Sequence, residues 1–231
     1  MLAIIPARKD SKGLKNKNVK KLINKPLICW TIEALLKSKK ISSIIVSTDD
    51  ERVIKICKKY NIEVPFKRPK YLAKDKTPAI DVYKHTLNKL KKINKTKIDE
   101  FLVALPTSPL RTYKDINNAI DIFYTKKAES VISCCKVSHP SAWALNIKKN
   151  MQINYKKLRD KNNANRQDIK EEYMPNGAIY ILKLKNLIKY NSYYTSKSFC
   201  YEMEKKYSID IDDIFDFNLA RLILNKNKKY F

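Results

Sequence analysis

Residues 2–18 read LAIIPARKDSKGLKNKN. Leu2-Ala3-Ile4-Ile5 is an apolar run of the length of one buried strand, stopped by Pro6, and no periodic apolar pattern resumes before Val19. A core strand therefore feeds a basic loop. Arg8, Lys9, Lys12, Lys15 and Lys17 alternate there with Ser11, Gly13, Asn16 and Asn18, which are small or donate hydrogen bonds. Such a loop suits a polyphosphate: the cations neutralise phosphate charge, and Gly13 lets the backbone approach closely and take a positive φ. The chain has only two glycines, Gly13 and Gly177, where average usage of about 7% would place roughly sixteen. A composition so poor in glycine keeps one where the backbone requires it. Only seven of the 49 basic residues are arginine. Lysine meets the general cationic requirement, which marks Arg8, Arg68, Arg111 and Arg166 as candidates for planar, forked donation.

Outward from this loop the chain alternates strand and helix. Helices are expected over 27–38, 51–60, 79–93 and 113–124, and strands over 41–47, 62–64, 101–105 and 130–137. Short joints between them predict an α/β fold with a parallel sheet covered by helices. The strand at 101–105 runs into Pro106-Thr107-Ser108-Pro109-Leu110-Arg111-Thr112, a stiff turn at a carboxyl end, where open α/β sheets place ligands. Residues 138–172 are polar and rich in lysine and asparagine. A loop of that length does not suit a compact domain, so the segment reads as a β excursion that packs on a second subunit or orders with ligand. A turn is expected at 173–177, a strand at 178–184, a short helix from 187 and a last helix over 214–224. Between these helices, residues 207–212 alternate polar and apolar, which would put Asp210 and Asp212 on one face of a strand.

At 231 residues one main core is expected, and 1–231 reads as a single domain. The formal charge of +26 brings nucleic acid to mind first. The lysines, however, are spread from end to end, with no arginine-rich tail and no sustained basic-only helix, so most read as solvated faces and no specific nucleic-acid partner is expected. A basic nucleic-acid-binding module remains the alternative from a different class. The five cysteines form no C-x-x-C pair and read as buried free thiols. No apolar run approaches the roughly 18 residues of a membrane span, and Met1 leads straight into the first strand. The expectation is a cytoplasmic protein with no membrane partner.

The chemistry follows from the strand ends. Asp210 and Asp212 are a natural seat for Mg²⁺ shared with substrate phosphates, or else an exposed strand face with Asp213 as a helix cap. No Ser/His/Asp or Cys/His arrangement is visible. A polyphosphate loop with a carboxylate pair points to direct displacement at phosphorus, catalysed by positioning and charge stabilisation.

Four stretches in order, Ile4-Ile5-Pro6-Ala7-Arg8 with Ser11-Lys12-Gly13 and Lys17-Asn18, Pro106 to Arg111, Pro175-Asn176-Gly177-Ala178-Ile179-Tyr180, and Ser208-Ile209-Asp210-Ile211-Asp212, resemble the acylneuraminate cytidylyltransferases. The resemblance implies a Rossmann-like nucleotidyltransferase with a mainly parallel sheet, working as a homodimer whose β excursion reaches the neighbour's site. It implies CTP and a nine-carbon nonulosonic acid as substrates and Mg²⁺ as cofactor. By the same resemblance Arg8, Ser11, Lys12, Gly13 and Lys17 hold the triphosphate, Asn18 and Arg68 contact the nucleoside, and Asp210 and Asp212 bind the metal. Arg8, Lys17 and Asp212 take the catalytic roles, and Leu105, Ser108, Arg111, Arg166, Asn176 and Tyr180 shape the sugar side. The departures concern the sugar: Leu105 stands where Gln is common, Met174 where some members have Arg, and Ala142-Trp143 where others carry Lys. Lost polar contacts of this kind change which acid is accepted, so N-acetylneuraminic, legionaminic or a related acid are all compatible. Activation of an eight-carbon acid of the Kdo type is the alternative within the same chemistry.

Overall fold

A computed structural model of the chain describes residues 1–94, 97–153 and 170–227. In chain order the strands are β1 (Leu2–Ala7), β2 (Lys21–Leu22), β3 (Lys25–Pro26), β4 (Ser43–Thr48), β5 (Glu100–Val103), β6 (Ser130–Lys136), β7 (Tyr173–Lys183) and β8 (Ser198–Glu202). The α-helices are α1 (Leu27–Leu36), α2 (Glu51–Lys59), α3 (Ala79–Asn94), α4 (Tyr113–Thr125), α5 (Leu184–Tyr190) and α6 (Ile214–Lys226). Six strands form one sheet in the order β4-β1-β5-β7-β6-β8. Pairing is parallel at β1/β4, β1/β5 and β6/β8 and antiparallel on both sides of β7, so β7 alone is reversed. Among the described residues no helix is long and apolar enough to cross a membrane.

The period of two along β1 sorts its side chains to opposite faces. Ala3, Ile5 and Ala7 join one buried layer with Ile28, Ile32 and Leu35 of α1, Val53 of α2 and Phe123 of α4. Ile4 joins the other layer, with Phe101 and Val103 of β5, Val82, Tyr83 and Leu87 of α3 and Leu187 of α5. The sheet is thus covered on both faces, as β/α alternation requires. Helix starts follow legible caps. The Asp50 side chain accepts from the Arg52 amide, and reciprocal capping boxes join Thr112 to Asp115 and Asp213 to Asp216.

Several expectations are corrected. The strand expected at 62–64 is only an isolated bridge between Ile45 and Glu63. The turn expected at 173–177 lies inside β7, where a register shift between Ile132 and Cys134 on β6 accommodates the extra backbone. β8 was not anticipated; it is a sheet edge whose side chains are all partly or fully exposed, so it lacks a clean alternating pattern. Of the five thiols, Cys29, Cys57 and Cys134 are buried and free, whereas Cys200 is exposed. Of the excursion, residues 138–153 and 170–172 are described and 154–169 lie outside the described residues; it has a short turn at Ser141–Trp143 and a bridge between Ile147 and Ile153.

Candidate active site

β1, β4 and β5 run parallel, so their carboxyl ends open at one edge of the sheet. A cleft of about 430 Å³ lies there, lined by Arg8, Ser11, Lys12, Gly13, Lys17, Asn18, Arg68, Leu105, Tyr180 and Asp212 among others. Every residue expected to hold the nucleotide therefore reaches one cavity.

The first loop is held from below and behind. Leu14 packs in a third apolar cluster with Leu110, Ile211 and the α6 residues Phe217, Ala220 and Leu224. That cluster ties the segment carrying the aspartates to the loop carrying the cations. Lys17 is buried, and its Nζ donates to the Ile211 carbonyl at 2.5 Å and to Asp212 Oδ1 at 3.3 Å. Asn18 Nδ2 donates to the Arg8 carbonyl at 2.9 Å, which fixes the loop's entry against its exit. A Cβ on Gly13 would stand 2.1 Å from the Asp212 carbonyl oxygen. Close approach is thus what Gly13 provides; the positive φ expected of it belongs instead to Asn16, at 56°.

Arg68 enters from the segment after α2. Its Nη2 donates to the Ser47 carbonyl at 2.6 Å and its Nε to Ser47 Oγ at 3.2 Å, at the carboxyl end of β4. Burial brings the guanidinium down to about 10, opposed in part by Asp49.

Asp210 and Asp212 come together without the expected strand. Residues Lys205–Tyr207 form a 3₁₀ turn and the chain then runs on outside any strand, with the Ile211 amide donating to the Thr107 carbonyl at 2.8 Å. The two carboxylates differ in setting. The Asp212 side chain is 86% exposed, whereas Asp210 Oδ1 is buried without a hydrogen-bond partner. Burial first, and then the Asp212 charge, raises the Asp210 carboxyl above its ordinary value, against a contact with Thr107 and the charge of Lys17. A buried, underpaired carboxylate beside a second carboxylate fits a divalent cation with oxygen preference. Among the described residues no group of three or more His, Cys, Asp or Glu could hold a metal ion, so such a cation would rest on this pair and on substrate oxygens.

Ser108, Arg111 and Asn176 sit beneath the cleft rather than on its wall, a correction to their expected place on the sugar side. All three are buried. Arg111 Nη1 donates to the carbonyls of Ala178 at 2.9 Å and Leu105 at 3.3 Å, and burial brings this guanidinium down to about 10. Ser108 Oγ donates to the Asn176 carbonyl at 3.3 Å; the Asn176 side chain accepts from Ser133 at 2.6 Å and donates to Ser208 at 2.9 Å. These contacts pin β5, β6, β7 and the aspartate segment together, so the three residues position the wall. Arg166 lies outside the described residues.

The cleft also contains residues the sequence did not single out: Asp75, Tyr83 and Tyr193. Tyr193 stacks at a tilt on Tyr180 with ring centroids 5.3 Å apart and on Tyr83 at 6.3 Å. A tyrosine doublet outside any helix or strand, Tyr193-Tyr194, was the one local signal. Asp75 has none, being one carboxylate among lysines.

The chain matches the Cytidylyltransferase family over residues 2–230. It is 36% identical over 230 residues to the N-acylneuraminate cytidylyltransferase of Escherichia coli O18:K1:H7, covering 99% of this chain and 53% of that protein. It is 32% identical over 232 residues to the CMP-N,N'-diacetyllegionaminic acid synthase of Legionella pneumophila, covering 99% of this chain and 98% of that protein. The chain thus spans about half the length of the first relative and nearly all of the second. Its fold is similar to that of CMP:2-keto-3-deoxy-manno-octonic acid synthetase complexed with CTP, with a TM-score of 0.70, 15% identity and coverage of 97% and 98% of the two chains. The basic first loop, the aspartate segment locked to it and a match from one end of the chain to the other make it a member of the cytidylyltransferase family.

Proposed function

We propose that the chain transfers CMP from CTP to the anomeric hydroxyl of a nine-carbon, sialic-acid-like keto acid, releasing pyrophosphate. The observation that carries this reading is the locking of Asp212 to the basic loop through Lys17 and Gly13, which sets a carboxylate among the triphosphate-binding cations. The relatives acting on N-acylneuraminate and N,N'-diacetyllegionaminic acid support the substrate class.

Arg8, Lys12 and Lys17 neutralise and orient the triphosphate, and Ser11 and the backbone at Gly13 approach it. Arg68 and Asn18, both buried, face the nucleoside. The sugar hydroxyl attacks the α-phosphorus: its oxygen forms the new P–O bond, the bond to pyrophosphate breaks, and the Asp212 carboxylate receives the proton. Asp210 and Asp212 would hold Mg²⁺, which would supply charge neutralisation at the phosphates. Tyr180 and Leu105 face the sugar, and Leu105 offers it no hydrogen bond. Trp143, Leu145, Ile147, Met151 and Ile153 of the excursion are all at least 42% exposed; a homodimer would cover them. A cytoplasmic setting follows from the need for CTP.

The test is pyrophosphate release with CTP, Mg²⁺ and a panel of N-acetylneuraminic, N,N'-diacetyllegionaminic and Kdo acids. Turnover with a nine-carbon acid is expected. Silence across the panel, or turnover with Kdo alone, overturns the reading.

A further inference from the structure

Arg8 and Lys12, two first-loop cations that line the cleft, already share an anion. Asp75 Oδ1 lies 2.7 Å from Arg8 Nη2, and its Oδ2 lies 3.3 Å from Lys12 Nζ. One carboxylate thus bridges two cations on the wall of the cleft that a triphosphate would enter. Left in place, it would set a negative charge against the phosphate oxygens. Both pairs are solvent-accessible, with the Arg8, Lys12 and Asp75 side chains 31%, 78% and 35% exposed. Pairs so exposed are weak and readily exchanged.

The geometry around Asp75 allows such an exchange without unfolding anything. Leu72 is buried and anchors one side of the segment, and α3 begins at Ala79 on the other. Between them the Thr77 amide donates to the Lys74 carbonyl at 3.1 Å and Thr77 Oγ1 donates to the Tyr71 carbonyl at 3.1 Å, closing a turn with Asp75 at its tip. Asp75 also lines a neighbouring cleft, where Lys9, Lys67, Arg68, Lys70 and Lys74 outnumber the carboxylates Asp10 and Asp49. Side-chain rotation would carry its carboxylate from one basic wall to another while the turn stays closed.

We propose that Asp75 occupies the anion seat between Arg8 and Lys12 in the free protein, and that a triphosphate displaces it into the neighbouring lysine-lined cleft. Asp75 is then a positioning residue: it holds Arg8 and Lys12 in register before nucleotide arrives and lowers affinity for any phosphate chain that must replace it. An anion long enough to meet both cations overcomes the carboxylate; a monophosphate, which meets fewer of them, leaves it in place. The inference rests on the cytidylyltransferase reading given above.

Titration calorimetry without sugar acid, at fixed ionic strength, tests it with CTP, inorganic tripolyphosphate and CMP on the wild-type chain, Asp75→Asn and Asp75→Ala. Removing the carboxylate is expected to lower Kd for CTP and tripolyphosphate roughly three- to tenfold while leaving CMP within about twofold. A merely structural role would weaken all three ligands together. CTP binding that is unchanged or weaker in both variants overturns the exchange, as does a gain shared equally by CMP. Absence of CTP binding by all three proteins overturns the cytidylyltransferase reading itself, and the exchange with it.

Discussion

Asp210 shows how one side chain can be costly to the fold and useful to the site. Its Oδ1 is buried with no hydrogen-bond partner, and burial raises its carboxyl above the ordinary value. The native state therefore holds that proton more tightly than the unfolded chain does. Without metal, the group's contribution to stability is greatest below the ordinary carboxylate value and is lost as pH rises through the raised one. Asp210→Asn removes the buried charge. In chelator at neutral pH the variant is expected to melt above the wild type, and the gap is expected to close as pH falls into the carboxylate range. Turnover is expected to be lost throughout. Thermal melts of both proteins across pH check this, and a gap that widens on acidification would contradict the assignment. Asp50 runs the opposite way: although burial is its largest influence and raises it, the combined bonds and charge of Arg52 hold it below the ordinary value. The comparison between variant and wild type at each pH separates the two.

β7 joins the halves of the sheet and carries the second glycine. Gly177 has φ 73°, and a Cβ there would stand 2.7 Å from Asp210 Oδ2. Gly177→Ala is expected to cost about 1–2 kcal/mol from the left-handed backbone alone, measured by urea unfolding. It should also weaken Mg²⁺ dependence, because the new methyl group displaces the Asp210 carboxylate. Stability and metal dependence both equal to wild type would show that neither constraint holds. The helices were legible to within a few residues because Asp50, Thr112 with Asp115, and Asp213 with Asp216 are caps readable from the chain. β7 was not, because Pro175-Asn176-Gly177 has the composition of a turn, and only a bulge in β7 itself, between Pro175 and Tyr180 opposite Cys134 and Ile132 of β6, lets it continue as a strand. The pair Asp210 and Asp212 was found for a reason that does not hold, since no strand forms there; Asp212 lines the cleft, while Asp210 is buried near enough to feel its charge.

The fold brings its two ends together at the site. Leu14 near the start and Phe217, Ala220 and Leu224 near the end share one apolar cluster, and Lys17 bonds the Ile211 carbonyl across it. Gly13→Ala would drive a methyl group into the Asp212 carbonyl and separate cations from carboxylate. A displacement on the order of 1 Å at a catalytic group costs about 10²-fold in rate, and that loss in kcat is expected with the protein still folded by circular dichroism. Wild-type kcat would mean that the loop and Asp212 need not touch. The alternation of apolar runs, the basic loop, the scarce glycines and the paired aspartates were enough to determine an α/β sheet with a basic cleft at its carboxyl edge, because each is a local pattern of spacing and charge. Which residues face the cleft is not local. Arg111, Ser108 and Asn176 resemble ligand-binding residues in the chain but turn into the protein, because Arg111 and Ser108 donate to buried carbonyls of β7 and of the turn after β5, and the Asn176 amide is held between Ser133 and Ser208. Asp75 and Tyr193 look ordinary and reach the cleft, because segments remote in sequence meet only after the sheet is covered on both faces.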